Sequence, residues 1–499
     1  MEFQYRGISP QDQQEQSWES LRNFIRDIVY PYHPYYREVF KRMGIEPRDL
    51  RNPEDLRKLP ITEKKDLAQN YKKFILQPGY PGKKTDFEVE EISPTKMRIY
   101  KENAEKITFL RDIFGSPRTF EEKVYQCFLK EWQPIHFQWS GGSSGMRSFS
   151  TYSQEDLLGP FLEVSAMALY IPGNQPNMKW LNLSPGAPHL GIYGTLIPPL
   201  LDGWPSFNTF GGKSVPTENQ IKLAYEEEFE GICGIASYVT YWVETAKKML
   251  EQGKIGPIHS FKLAVVFGEP IPESYVQRLR DQFADLGSHP KIIECMGSTE
   301  LKSYFSECNE GTKLHLNPEF YYWEVLHPET REPVSWGEPG VLVFSHIGWR
   351  GTVLLRYWTG DYVTGGVVWN KCPQCGLVLP RAITPIKRAA ADFVKIRGAR
   401  VELLDLQTAV RKCREVESFQ IRIGKEDPGN PASRDWVRIY VAPRGGYAEK
   451  EIRESVNESV RRDTDVTPNE LVFLTAVELE KALFARTGIK ADWVVDERK

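Results

Sequence analysis

The sequence predicts an α/β protein: a large N-terminal domain of parallel α/β sheets with an appended β-rich subdomain, followed by a small α+β C-terminal domain. Three observations predict it. Between Ser153 and Met296 short apolar strands alternate with amphipathic helices, the pattern of parallel strands joined by crossover helices. From Phe320 the pattern becomes strands separated by turn residues, as in an antiparallel sheet or barrel. Beyond a boundary near residue 390 helices and strands alternate again, with enough chain for a domain of its own. The expected division is 1–391 and 392–499.

In chain order, SWESLRNFIRDIVY places apolar residues at helical spacing and PEDLRKLPITEKKDL supplies short capped turns, so Asp12 to about Asn70 reads as an opening helical layer. Residues 78–120 are rich in proline, glycine and charge without clear periodicity, and an irregular excursion is expected there. SQEDLLGPFLEVSAMALY, IYGTLIPPLLDG and PTENQIKLAYEEEF then read as helices and KWLNLS as a strand. GICGIA, FKLAVVF and PKIIECM are strands, with SYVTYWVETAKKMLEQG and PESYVQRLRDQFADLG as the helices between them. FYYWEVLHPET, GVLVFSHIG and GTVLLRYWTGDYV supply the later strands, and VELLDLQTAVRKC, SFQIRIG, WVRIYVAP, YAEKEIRESVNESVRRD and ELVFLTAVEL carry the C-terminal alternation.

With 499 residues, 40% of them hydrophobic and 12% aromatic, the chain can bury a large core. A net charge of −3 creates no field that argues for nucleic acid or an anionic membrane as partner, which leaves small-molecule chemistry. The amino terminus is polar and acidic, and no apolar run of about 18 residues appears, so a cytoplasmic protein without a membrane span is expected. The seven cysteines, Cys127, Cys233, Cys295, Cys308, Cys372, Cys375 and Cys413, are too sparse for a disulfide framework.

Parallel sheets bind ligands outside the carboxyl ends of their strands, so glycine-rich and acidic turns after strands are the candidate positions. QWSGGSSGMRSF packs three glycines and four serines into residues 138–149. Such letters make either a linker or a loop whose N–H groups and hydroxyls turn toward one anion. Partner motifs downstream favour the loop: FGEP at 267–270, MGSTE at 296–300, RYWTGD at 356–361, KIRGAR at 395–400 and RTGIKADWVVD at 486–496.

In this order the motifs resemble those of the AMP-forming adenylating superfamily of acyl-CoA synthetases, peptide-synthetase adenylation domains and luciferases. Within it the chain looks most like phenylacetate-CoA ligases, over most of its length. The resemblance implies ATP, Mg²⁺ and coenzyme A as ligands, and a role for each motif. Ser140, Gly141, Gly142, Ser143, Ser144 and Gly145 would grip the β- and γ-phosphates while pyrophosphate departs. The Lys-Pro often found after the last glycine is missing, so either Arg147 carries the cationic contact or the grip is looser. Gly268, Glu269 and Pro270 would wall an adenine slot; Met296, Gly297 and Ser298 lead to Thr299, which would contact the α-phosphate, and Glu300, which would hold Mg²⁺.

Asp361 would accept hydrogen bonds from both ribose hydroxyls. Where the family places a ribose-contacting arginine this chain has Ala389, and Ala391 replaces an aspartate, so either Arg388 substitutes or nucleotide binding is weaker. Arg397 joins the nucleotide-binding set. Asp392 aligns with the hinge about which the small mobile domain would rotate between two half-reactions, bringing Lys490 onto the α-phosphate and the carboxylate. His189, Tyr193, Ala236 and Tyr238 fall where the family lines its acid pocket.

Cys308 and His315, with the C-x-x-C of Cys372 and Cys375, offer three thiolates and one imidazole, a tetrahedral zinc set without an open position and therefore structural. A redox pair or two unrelated turn cysteines are the rival readings. The function expected is ATP-dependent activation of an aryl or arylacetic acid, then transfer to a thiol, coenzyme A. The alternatives are transfer to a carrier protein or another nucleophile, or a binding protein of the same fold.

Overall fold

The structure is a computed structural model that describes residues 7–106, 118–140, 148–173, 177–186, 189–269, 271–384, 386–388, 393–396, 399–427, 433–464, 466–485 and 491–498. The opening layer is helical as expected. Its first helix, Pro10–Phe24, is capped by the Ser9 hydroxyl, which accepts from the Asp12 N–H at 3.1 Å, and it buries Trp18, Leu21 and Phe24 at helical spacing.

The stretch read as irregular instead contains a helix, Pro94–Lys106, which packs on the Phe120–Trp132 helix. Only Tyr100 and Ala104 on it are buried, too few to give a period in the sequence. A polar clasp joins the pair: the Tyr100 hydroxyl donates to Glu131 at 2.7 Å, and Trp132 Nε1 donates to Tyr100 at 2.7 Å.

The central sheet has six strands in the order Ser206–Asn208, Trp180–Asn182, Gly231–Ile235, Leu263–Phe267, Lys291–Ser298 and Ser303–Ser306. All pairings are parallel except the last, a hairpin. Alternation decides which face each residue serves. Ile232, Ala264, Val266 and Ile292 pack under the helices Thr217–Glu227, Ala236–Glu251 and Glu273–Leu286, while Cys233, Val265, Ile293 and Cys295 face Pro160–Tyr170. A strand covered on both faces is apolar throughout, which is why this core was legible.

Two smaller sheets follow: an antiparallel one of Tyr321–Leu326, Gly340–His346, Tyr357–Val363 and Ile386–Arg388, and a three-stranded one of Val367–Lys371, Val378–Ala382 and Leu314–His315. The last part of the chain has its own apolar core, from Ile396 to Leu471. It forms between the helices Leu403–Arg411 and Glu449–Thr464 and a sheet ordered Glu470–Phe473, Asp435–Pro443, Val416–Lys425 and Val494–Asp496. No helix among the described residues is long and apolar enough to cross a membrane.

Two local expectations are corrected. The glycine-serine stretch does not lead straight into a helix; it joins His136–Trp139 to the antiparallel strand Phe149–Tyr152, and the helix begins only at Gln154. Asp361 does not follow a strand but lies within Tyr357–Val363. Gly360 takes a φ of +75° inside a bulge against Val341–Val343.

Candidate active site

The strand that ends in Phe267 continues into Gly268, whose φ of +84° turns the chain, and into Glu269. The Glu269 carboxylate accepts from the N–H of Ser237 at 3.0 Å and from its hydroxyl at 2.8 Å, capping the Ala236–Glu251 helix. The wall expected to flank adenine is thereby fixed to the next strand–helix junction.

Met296, Gly297 and Ser298 end the neighbouring strand, and the turn after it carries Thr299 and Glu300, 7% and 6% exposed. Ser148 donates its hydroxyl proton to Glu300, and the Ser140 hydroxyl lies 2.8 Å from that of Ser148. Ser140 and Ser148 also bond through their backbones at 3.0 Å, closing the neck of the loop. The neck of the loop expected to hold phosphate is thus tied to the carboxylate expected to hold the metal. A cation stands beside them: Lys64 Nζ is 3.9 Å from Glu300 Oε1.

Lys64 arrives there because the segment before it runs beside the strand that holds Asp361. Thr62 bridges Tyr357, donating its N–H to the Arg356 carbonyl at 3.0 Å and accepting from the Trp358 N–H at 2.9 Å. One short segment therefore touches both halves of the expected nucleotide site. Asp361 itself is paired in register with Arg388, and its N–H donates to Thr359 Oγ1 at 2.9 Å.

The turn that presents Glu300 is pinned from below. Lys302, at a φ of +63°, donates to Asp156 at 2.9 Å and to the Thr352 carbonyl at 3.2 Å, and both charged side chains are 0% exposed. Its ammonium also lies 4.7 Å from the Tyr152 ring and 4.5 Å from that of Trp349.

Among the residues expected to line the acid pocket, His189 stands at the N-cap position of the Leu190–Leu201 helix with its Nδ1 2.8 Å from the Trp139 carbonyl, and Tyr193 meets His136 edge-on at 4.2 Å. Both therefore sit against the hairpin that bears the phosphate loop. Ala236 is buried at the start of its helix. The Tyr238 hydroxyl bonds Thr217 at 3.0 Å and Gln220 at 3.1 Å, in the seam with the Thr217–Glu227 helix.

The donor atoms of Cys308, His315, Cys372 and Cys375 lie within 4.8 Å of one another. Cys308 Sγ is 3.7 Å from Cys372 Sγ, and Cys375 Sγ is 3.4 Å from His315 Nε2. Two sulfurs bound at about 2.3 Å on a tetrahedral metal stand nearly 4 Å apart, whereas a disulfide needs about 2.05 Å. His315 Nδ1 is 3.1 Å from the Lys313 carbonyl, an arrangement that places the ring proton there and frees Nε2 as a ligand. A hydrogen bond from Cys375 draws the Cys308 thiol toward its thiolate. Cys372 and Cys375 occupy a hairpin turn between Val367–Lys371 and Val378–Ala382, not the helix start of a thioredoxin-like redox pair.

No family model matches the chain. It is 26% identical over 424 residues to a phenylacetate-coenzyme A ligase of Thermus thermophilus, covering 82% of this chain and 77% of that one. To the enzyme of the same description from Escherichia coli it is 23% identical over 412 residues, or 80% and 76%. Over most of its length the chain is thus similar to phenylacetate-CoA ligases. Its fold overlays 2-hydroxyisobutyryl-CoA ligase in the postadenylation state, in complex with R3-HIB-AMP, with a TM-score of 0.75 at 16% identity, covering 99% of this chain and 91% of that one. The same ligase in its thioesterification state, with 2-HIB-AMP and CoA, overlays at 0.58 with 17% identity and coverage of 99% and 91%.

For this ligase-like chain, Gly141, Gly142, Ser143, Ser144, Gly145, Arg147, Pro270, Ala389, Ala391, Asp392, Arg397 and Lys490 lie outside the described residues. Three features of the site escaped sequence reasoning. Lys64 and Lys302 carry no sequence signal, because their partners are distant in sequence. Gly191 and Gly194 carried a visible signal, two glycines one turn apart in an apolar helix. A Cβ on Gly194 would stand 2.4 Å from the Tyr304 ring, so that glycine lets the helix settle on the ring, whereas one on Gly191 would make only ordinary contact with Phe267 at 3.4 Å.

Proposed function

We propose that this protein activates a carboxylic acid with ATP, forming an acyl-adenylate and releasing pyrophosphate, and then passes the acyl group to the thiol of coenzyme A. An aryl or arylacetic acid is the substrate, in keeping with the phenylacetate-CoA ligases among its relatives. The observation that carries the reading is the enclosed Glu300, joined through Ser148 to the neck of the glycine-serine loop and faced by Lys64.

In the first step a carboxylate oxygen attacks the α-phosphorus and the bond to the bridging oxygen of pyrophosphate breaks. Negative charge grows on the α-phosphate and on the leaving group, where Lys64, Thr299 and the loop donors neutralise it. The buried carboxylate of Glu300 suits a hard divalent cation, and Mg²⁺ bound there supplies further neutralisation at the phosphates. Asp361 holds the ribose, and Gly268 and Glu269 wall the adenine. In the second step the thiol sulfur attacks the acyl carbon and AMP leaves.

Residues 392–499 act as the mobile domain, with Asp392 as hinge and Lys490 serving the first step. We assign Cys308, His315, Cys372 and Cys375 to a structural zinc, a reading supported by the sulfur spacing and by His315 Nε2. ATP–pyrophosphate exchange with a panel of aromatic and aliphatic acids, followed by acceptor tests with coenzyme A, examines the proposal. Exchange with aryl acids supports it; no acid-dependent exchange rejects it.

A further inference from the structure

We infer that Lys248 and Arg278 of the large domain and Glu417 of the small domain form a latch, which holds the small domain for acyl-adenylate formation and must open before thioester formation. The inference rests on the proposed function. Glu417 stands in the Val416–Lys425 strand, and its carboxylate lies 3.0 Å from Lys248 Nζ on the Ala236–Glu251 helix. Its backbone carbonyl accepts from Arg278 on the Glu273–Leu286 helix. Arg278 is also 3.5 Å from Glu244, which Gln282 holds at 2.7 Å. Two adjacent helices of the large domain thus grip one small-domain residue by side chain and backbone together. The first of them begins at Ser237, the residue capped by Glu269 of the adenine wall, so the latch and the nucleotide site share one rigid element.

The docked contact carries a cost that favours release. Arg411 of the small domain is enclosed near Glu269 and Tyr275, its guanidinium 4.9 Å from the Trp493 ring. Arg411 Nη1 and Arg278 Nε have no hydrogen-bond partner among the described residues. Burial lowers the pKa of both guanidiniums, Arg411 to about 10. Desolvated cations with incomplete pairing weaken an interface that otherwise holds, as a domain that must leave within each turnover requires. The better overlay on the postadenylation than on the thioesterification arrangement assigns this contact to the first half-reaction.

Charge reversal tests the latch. Lys248 is about half exposed, so Lys248→Glu and Glu417→Lys leave the cores intact. Each alone is expected to speed hydrogen exchange over 236–251 in the substrate-free protein. Each is also expected to raise the ratio of thioester formation from supplied acyl-AMP to acyl-AMP formation by roughly three- to tenfold. The double variant should restore both. Unchanged exchange, no rescue, or faster exchange without a change in the ratio overturns the latch. Absence of acyl-AMP formation in the unaltered protein overturns the functional reading instead; exchange and its rescue need no substrate and judge the latch by themselves.

Discussion

Lys302→Met removes one member of a fully buried ion pair and leaves Asp156 charged. Deleting one partner of such a pair costs about 3–5 kcal/mol, because the other remains desolvated and unpaired. Asp156 keeps three backbone donors, the N–H groups of Ser153, Arg350 and Gly351 at 3.0, 2.6 and 2.7 Å. They shield much of its charge, so a loss near the lower end, about 3 kcal/mol, is expected. Adding Asp156→Asn, whose amide oxygen in the Oδ2 position still accepts from Ser153 and Gly351 while its NH2 faces the Arg350 N–H, should recover only part of the loss. Urea unfolding followed by tryptophan fluorescence measures both. Because Lys302 also anchors the turn of Thr299 and Glu300, half-maximal pyrophosphate exchange should need about tenfold more Mg²⁺ in the single variant. Full stability together with an unchanged Mg²⁺ requirement refutes the reasoning.

Asp361→Ala should weaken ATP binding at least about tenfold by calorimetry, the loss of two hydrogen bonds to a charged acceptor. Cys372→Ser should lower zinc below the expected content of about one per chain by elemental analysis, and lower the unfolding temperature with it. Lys490→Ala should abolish acyl-AMP formation and spare thioester formation from supplied acyl-AMP, read in separate assays of the two steps. His33, buried with Nε2 3.0 Å from the Val353 carbonyl, is held down to about 3 by burial, against 6.5 when free. Between those values only the unfolded chain takes up the proton, so stability falls with pH, by about 2 kcal/mol from pH 7 to pH 5. His33→Gln should remove that part of the slope in denaturation curves across the same range.

The legible parts of this molecule were those whose meaning is local. The parallel core announced itself because strands such as LAVVF are covered on both faces and cannot carry polar residues. The Cys308, His315, Cys372 and Cys375 cluster, whose donor atoms the fold brings within 4.8 Å of one another, was readable because cysteine and histidine at knuckle spacing have few other uses. The Pro94–Lys106 helix was hidden because only Tyr100 and Ala104 on it are buried, too few to show a helical period. Asp361 was misplaced by a glycine that bends a strand without ending it. Lys64 and Lys302 were invisible for a different reason: charge in a sequence signals solvent, and only the assembled fold shows Asp156 and Glu300 waiting for them. Tyr238 was assigned to the acid pocket by resemblance alone; that its hydroxyl bonds Thr217 and Gln220 depends on the packing of two helices and is not local to the sequence.

The chain from Ser140 through Ser148 to Glu300 has a direction. A hydroxyl owns a single proton. Ser148 gives its proton to the carboxylate, so it can only receive from Ser140, whose own proton is committed in turn. While Glu300 is bare, neither hydroxyl is free to donate to an incoming phosphate. A cation that occupies the carboxylate oxygen returns both protons to the mouth of the loop at once. Metal and nucleotide should therefore bind with positive cooperativity, each raising the other's affinity by the same factor, and Ser148→Ala should abolish that mutual gain while leaving the carboxylate in place.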